Sequence, residues 1–375
     1  MATRTPASQG FTMPAEWARH EATWLAWPHN ARDWPGKFAP IPWVFGEIVR
    51  LVARGETVRL LVEDAANQRR ARALLARVGA PLAAVDFRRF PTDRGWCRDT
   101  GPIWLTGRDE QPARAIASFR FNAWAKYDDW KKDARTPARA ARALGVPLLP
   151  VVHRGREVVL EGGAIDVNGA GTILTTEECL LDPEVQVRNP GFGRDDYQQV
   201  FREVLGAGNT IWLGRGIAGD DTHGHVDDLA RFVNSRTIVL CREPDGADAN
   251  HVPLEENRER LEGARLEDGS RPEVVALPMP APLVLDGQRL PASYANFYVA
   301  NAAVLVPTFN DPSDRVALGI LGELFRDRPV IGVHAVDLVW GLGTLHCLSQ
   351  QEPASPGRFR RWSAPPPAPA AGRPA

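Results

Sequence analysis

Two strand-like runs, a helix-like run and a further strand follow one another several times along this chain, an order that repeats without the sequence repeating. EGGAIDVNGAGTILTTEE reads as a hairpin turning at Asn168 and Gly169. A helix follows, with Tyr197, Val200, Phe201 and Val204 on its apolar face and Gly206 as its stop, and the strand TIWLG ends the unit. A second unit runs from VDDLARFVNSRTIVLC through a charged helix near Asn257 to Leu261 and ends in EVVALPMP, whose prolines mark an edge or an exit. A third begins with YANFYVANAAVLVPTF, continues through a helix with Val316, Ile320, Leu321 and Leu324 on one face, and closes with PVIGVHA. RDTGPIWLTGR, AIASFRFNAW, an Ala/Arg-rich helix at Ala138 to Leu144 and PLLPVV make a fourth.

The pieces left over are ATWLAWP and TVRLLVE with a helix between them at the front, and LHCLSQQ at the end. They form a fifth unit only if the terminal strand pairs with the first one. Such pairing closes a ring, which removes exposed sheet edges and brings equivalent positions of all five units to one centre. Length alone, 375 residues, does not set the number of domains. The repeat does, and it predicts a single catalytic domain over residues 12–362. Residues Met1 to Phe11 are expected to be a flexible leader, and SAPPPAPAAGRPA (Ser363 to Ala375) a disordered Pro/Ala tail.

A net charge of −1 without a long Lys/Arg block argues against nucleic acid as a partner. The first residues hold no apolar signal segment and no run of 18 apolar residues follows, so a cytoplasmic protein without a membrane contact is expected. Four scattered cysteines without a CxxC pair fit neither a zinc site nor a disulfide framework. Three of them are expected to be small core residues.

The fourth is Cys347, in GLGTLHCLSQQEP. Upstream lie RDTGP, EGGAI and DDTHGHVDD, and in the repeat Asp99, Glu161, Asp227 and Cys347 each sit at or just before the first strand of a unit. Polar residues often begin strands, so one such placement means little. Four with complementary chemistry at one structural address point to a dispersed active site. A guanidinium is planar and charged, and carboxylates such as Asp99 and Asp227 match its forked N–H donors. Attack on its carbon needs a strong nucleophile, for which a thiolate at Cys347 is suited. His225 is the candidate general acid and base, and Glu161 either orients it or holds a guanidinium nitrogen. Trp96, three residues from Asp99, is expected to stack on the substrate, whereas Trp124 in FNAW is expected in the core. His346 is not expected to act, because neighbouring strand residues face opposite ways.

DDTHGHVDD also permits a different chemistry. Asp220, Asp221, His223, His225, Asp227 and Asp228 are all metal-ligating types, and a binuclear hydrolase that releases urea from guanidines uses such clusters. That reading needs a second cluster, which the sequence lacks, and leaves Cys347 without a purpose.

MPAEWARHEATWLAWP, RDTGP, FNAW, EGGAIDVNGAGTILTTEECLL with RNP, GDDTHGHVDDLARF, SYANFYVANAAVLVP and GLGTLHCLSQQEP occur in an order that resembles the agmatine deiminases, within the wider bacterial peptidylarginine deiminase-like family of guanidine-modifying enzymes. The resemblance spans nearly the whole chain. It implies an α/β fold, a pentein-like five-bladed β/α propeller, and hydrolysis of agmatine to N-carbamoylputrescine and ammonia in putrescine synthesis. It implies no metal or organic cofactor, and a homodimer as the candidate assembly. Carried over by position, it makes Cys347 the nucleophile, His225 the acid/base, Asp99 and Asp227 guanidinium ligands and Glu161 the partner of His225, with Trp96 and Asp221 touching substrate. A deiminase of peptidyl-arginine or another alkylguanidine is the nearest alternative. This chain departs from the family pattern at Asp166, His223, Asp228, Leu342 and Thr344, which bears on the substrate's tail.

Overall fold

A computed structural model describes residues 5–107 and 113–355. The repeat is present as five α/β units of one construction: a first strand antiparallel to a second, a helix, and a third strand parallel to the second. One unit uses Ile103–Gly107, Arg114–Ser118, Thr136–Leu144 and Leu148–Pro150. The next uses Asp166–Val167, Thr172–Thr176, Arg194–Val200 and Asn209–Leu213. Ala230–Phe232, Thr237–Arg242, His251–Gly263 and Glu273–Pro278 follow. Tyr298–Val299, Val304–Thr308, Pro312–Leu324 and Val330–His334 come fourth. In the last, Ser349–Pro353 lies antiparallel to His20–Ala26, with Thr23 opposite Gln351, and the helix Ile41–Val52 leads to the parallel strand Thr57–Leu61. The two ends of the chain therefore share one sheet.

The second strand of each unit has neighbours on both sides, and its residues are almost all buried, as in Thr172–Thr176 and Val304–Thr308. That is why these segments read as continuous apolar runs and not as alternating ones. In four of the units the third strand is an outer one: Glu273–Pro278 pairs only with Thr237–Arg242 and is largely exposed, in line with its prolines, whereas Thr57–Leu61 pairs also with Val85–Arg88. The turn expected at Asn168 forms because the Asn168 Oδ1 accepts from the N–H groups of Ala170, Gly171 and Thr172. Tyr197, Val200, Phe201 and Val204 are buried as the periodicity predicts, and the helix widens over Phe201–Leu205 before Gly206 stops it at φ +72°.

Three expectations need correction. In Pro312–Leu324 the buried face is Ala317 and Leu321, while Val316 is 54% exposed, since it lies a third of a turn away. The leader does not extend to residue 11: Ala7–Gln9 form a helical turn, and the buried Phe11 pairs with Gly107 on the edge of a sheet. Burying that ring outweighs the ordering of the few residues before it. Finally, LHCLSQQ is not strand throughout, because Leu345–Leu348 form a helical turn and the strand starts at Ser349. The tail expected at 363–375 lies outside the described residues. Among the described residues no helix is long and apolar enough to cross a membrane.

Candidate active site

Helical turns before the first strands carry the chemistry. Asp99 lies on Cys97–Thr100 ahead of Ile103, Glu161 flanks Gly162–Ala164 ahead of Asp166, Asp227 lies on Val226–Asp228 ahead of Ala230, and Cys347 lies on Leu345–Leu348 ahead of Ser349. The remaining unit has Asn296 at the same address, two residues before Tyr298–Val299. Sequence reasoning passed over Asn296, although the rule that selected the other four selects it too. Its Nδ2 donates to the Cys347 Sγ at 3.1 Å and to Asp228 Oδ1 at 2.8 Å, while its Oδ1 accepts from Thr344 Oγ1 at 2.8 Å. Two of the positions that depart from the family pattern, Asp228 and Thr344, thus serve to aim this amide at the sulfur.

Cys347, Asp99, Trp96 and Asp221 line one cavity of about 190 Å³. Cys347 Sγ lies 3.7 Å from Asp227 Oδ2. His225 stands between two carboxylates, its Nδ1 3.9 Å from Asp99 and its Nε2 3.7 Å from Glu161. These are ion-pair distances, too long for hydrogen bonds. Both ring nitrogens of His225 and Oδ1 of Asp227 are buried without a hydrogen-bond partner among the described residues. Buried polar atoms normally have partners, so these three are where a polar ligand is expected to bind.

Asp99 is fixed by two donors, Gly163 N–H to Oδ1 and Trp124 Nε1–H to Oδ2, both at 2.9 Å. Trp124 therefore belongs to the site as well as to the core in which it was expected, and it lines the same cavity. Glu161 is held chiefly by Arg188, at 3.1 Å and 3.3 Å, which sequence reasoning also missed although RNP follows the EGGAI segment. Asp221 receives Lys126 Nζ at 2.5 Å and the Tyr127 hydroxyl at 2.6 Å. The indole of Trp96 packs on Trp34 with ring centres 5.4 Å apart. His346 reaches Asp227 with Nδ1 at 2.6 Å. On a helical turn, adjacent side chains need not face opposite ways, which is why the strand argument failed for it.

The electrostatics favour a bound cation. Burial pushes the Cys347 thiol well above its ordinary value, and Asp227, Asp228 and Asp99 push the same way. Burial also raises the Asp99 carboxyl, against the attraction of His225. His225 is raised well above the usual histidine range: burial opposes the imidazolium, but Asp99, Cys179 and Glu161 outweigh it. Glu161 shows the reverse balance, since burial is overcome by Arg188 and His225 and the carboxyl falls to about 2. A planar cation at the three unpartnered atoms would offset the carboxylates and lower the thiol.

The second glycine of EGGAI has a spatial reason. A Cβ on Gly163 would lie 2.4 Å from His225 Nδ1 and 3.0 Å from Asp99 Oδ1. Gly163→Ala is therefore expected to displace the ring and lower turnover by roughly 10²-fold, the usual scale for a misplacement near 1 Å. Steady-state kinetics of the folded variant check this, and turnover within a few-fold of the parent would show that the ring tolerates the shift.

The run DDTHGHVDD does not converge on one point. Asp220 spends its carboxylate on the backbone N–H groups of Thr222, Gly224 and His225, Asp221 faces Lys126 and Tyr127, and His223 binds Asp182 at 2.9 Å. Asp227 and Asp228 approach Cys347, with ligand atoms of the three within 4.8 Å of one another, but His223 and Asp220 are committed elsewhere. A binuclear His/Asp cluster is not what this segment builds.

A thiol ringed by carboxylates, with an imidazole caught between one of them and Glu161, defines a site suited to thiol chemistry on a small cation. The chain belongs to the Porphyromonas-type peptidyl-arginine deiminase family, whose family model matches residues 12–353. It is 34% identical to the agmatine deiminase of Stutzerimonas stutzeri, covering 94% of this chain and 98% of that protein. To the putative agmatine deiminase of Selenomonas ruminantium it is 35% identical over 93% and 98%. Among solved structures it resembles the agmatine deiminase of Enterococcus faecalis, with a TM-score of 0.86 and 27% identity over 94% of this chain and 98% of that one. It also resembles a substrate-bound Cys-to-Ser agmatine deiminase of C. jejuni, with a TM-score of 0.81 and 28% identity over 92% and 97%.

Proposed function

We propose that this chain hydrolyses agmatine to N-carbamoylputrescine and ammonia. The observation that carries the reading is the placement of Cys347, whose Sγ lies 3.7 Å from Asp227, in a cavity it shares with Asp99, backed by His225 standing between Asp99 and Glu161. Asp99 and Asp227 take the guanidinium N–H groups, with Trp96 and Trp124 against the planar group. The Cys347 thiolate attacks the guanidinium carbon to give a tetrahedral adduct. His225 protonates one terminal nitrogen, the C–N bond breaks, and ammonia leaves an amidino-cysteine. His225, now neutral, takes a proton from water as its oxygen attacks the same carbon. The C–S bond then breaks, the sulfur leaves as thiolate, the former water oxygen gives up its remaining proton to solvent, and the neutral ureido product forms. Glu161, locked by Arg188, keeps the charge on His225 in place.

A cavity of about 190 Å³ favours a free alkylguanidine over an arginine embedded in a peptide. Asp221 lines the same cavity and is the acceptor proposed for the amine at the substrate's tail, and Lys126 already shares it. Five units meeting at one catalytic centre support the reading of the fold as a closed five-bladed propeller and of residues 12–362 as one domain, of which 356–362 lie outside the described residues. With the activity go a cytoplasmic location, a place in putrescine synthesis and a homodimer, the last of which sedimentation velocity reads.

The deciding experiment is product analysis after incubation with agmatine. Equimolar ammonia and N-carbamoylputrescine support the proposal; urea or no product rejects it. A pH series adds a second check. The thiol sits above its ordinary value near 9, and His225 keeps its proton through neutrality, so kcat/KM should rise as pH increases from 6 toward 9. A fall over that interval would contradict the assignment of the two groups.

A further inference from the structure

One motif of the sequence takes no part in the mechanism above. MPAEW places Glu16 beneath the site, where it is as buried as the core, together with His346. Glu16 Oε2 accepts from His346 Nε2 at 2.7 Å and from Arg98 Nη2 at 2.9 Å. Its Oε1 accepts from Val299 N–H at 2.9 Å and lies 3.1 Å from Arg231 Nη2. The other nitrogen of His346, Nδ1, faces Asp227 Oδ2 at 2.6 Å. An imidazole with a carboxylate at each nitrogen must donate from both when the carboxylates are ionised. Two charge-assisted bonds then run in line from Glu16 through His346 to Asp227, and they leave Asp227 Oδ1 without a partner among the described residues.

We infer that Glu16 and His346 are positioning residues, a buried clasp that fixes the Asp227 carboxylate so that its free oxygen meets the guanidinium. Glu16 belongs to none of the five segments before the first strands, yet through Arg98, Arg231, Val299 and His346 it touches four of the units. The arrangement also explains how Asp227 stays charged at full burial. Burial works against its ionisation, and the hydrogen bond and charge of His346 outweigh that. Glu16 is itself held well below the carboxylate range, since Arg231, His346 and Arg98 together overcome its own burial.

The test separates positioning from general support of the fold, using a cycle of Glu16→Gln and Asp227→Asn. The binding arm rests on the proposed substrate: agmatine dissociation constants are measured in folded Cys347→Ala protein. Glu16→Gln should weaken binding roughly tenfold or more where residue 227 is Asp, the scale of a lost charge-assisted bond, and by less than about twofold where it is Asn. Equal losses in both backgrounds, or no loss with Asp227 present, overturn the inference. If the Cys347→Ala parent binds no agmatine, the substrate reading fails, and the second arm decides alone.

That arm follows alkylation of Cys347 by iodoacetamide against pH and needs no substrate. The charged groups around the thiol are Asp227, Asp228 and Asp99, with His346 next to it in the chain; those around Glu16 are Arg98, Arg231 and His346, with His20 bonded to its carbonyl at 2.7 Å. Without the Glu16 charge the line from Glu16 through His346 no longer anchors Asp227 Oδ2, and the loosened carboxylate is free to move closer to the thiol. The alkylation profile should then move to higher pH with Asp227 present and stay in place with Asn. An unmoved profile overturns the inference. Should Glu16→Gln fail to fold, His346→Gln breaks the same line and carries the same expectations in both arms.

Discussion

Cys347→Ala is expected to lower agmatine turnover by roughly 10⁴-fold or more, the scale of removing a covalent nucleophile, while leaving substrate binding intact. The argument rests on position. Sγ is buried within reach of the Asn296 amide and 3.7 Å from Asp227, and it shares its cavity with Asp99. In the proposed mechanism Asp227 and Asp99 bind the cation, so they should keep their places when the sulfur goes. Rapid quenching of the parent enzyme should in turn reveal a covalent amidino adduct on the peptide that contains Cys347. Retention of more than about one per cent of turnover in the alanine variant would leave the thiol without its proposed role.

His225→Ala should cost roughly 10²- to 10⁴-fold in turnover, the usual contribution of a general acid and base. No neighbouring group replaces it. Asp99 and Glu161 flank the ring at 3.9 Å and 3.7 Å, but Glu161 is tied to Arg188 and held near 2, so it cannot supply a proton at neutral pH. The variant should form its adduct slowly and hydrolyse it slowly, since the same nitrogen serves both half-reactions. Quenched-flow mass spectrometry measures the two rates separately. Turnover within tenfold of the parent would remove His225 from the mechanism.

The departures from the family pattern fall into two groups. Asp228 and Thr344 hold Asn296, and Asp166 pairs with Arg231 at 3.3 Å, so all three support the floor of the site. Leu342, which adopts φ +68°, lines the cavity, and His223 binds Asp182 away from it. Of these, Leu342 is the one placed to touch a substrate's tail.

The sequence by itself determined four of the units and the address of the chemistry; the fifth waited on the pairing of Ser349–Pro353 with His20–Ala26. Strand and helix periods are local properties of apolar spacing, and a thiol or a carboxylate carries its reactivity wherever it sits. Tertiary structure alone decided which groups meet. Asn296 looks like any polar residue before a strand until the fold turns its amide toward sulfur, and Trp124 looks like core until its N–H finds Asp99. His346 was misjudged because one helical turn at Leu345–Leu348 replaced an expected strand, and that turn rotated its ring onto Asp227. Partners as far apart in the chain as Glu16 and His346 leave no periodic trace, because their hydrogen bond depends on where two backbones end up and not on anything near either residue in the sequence.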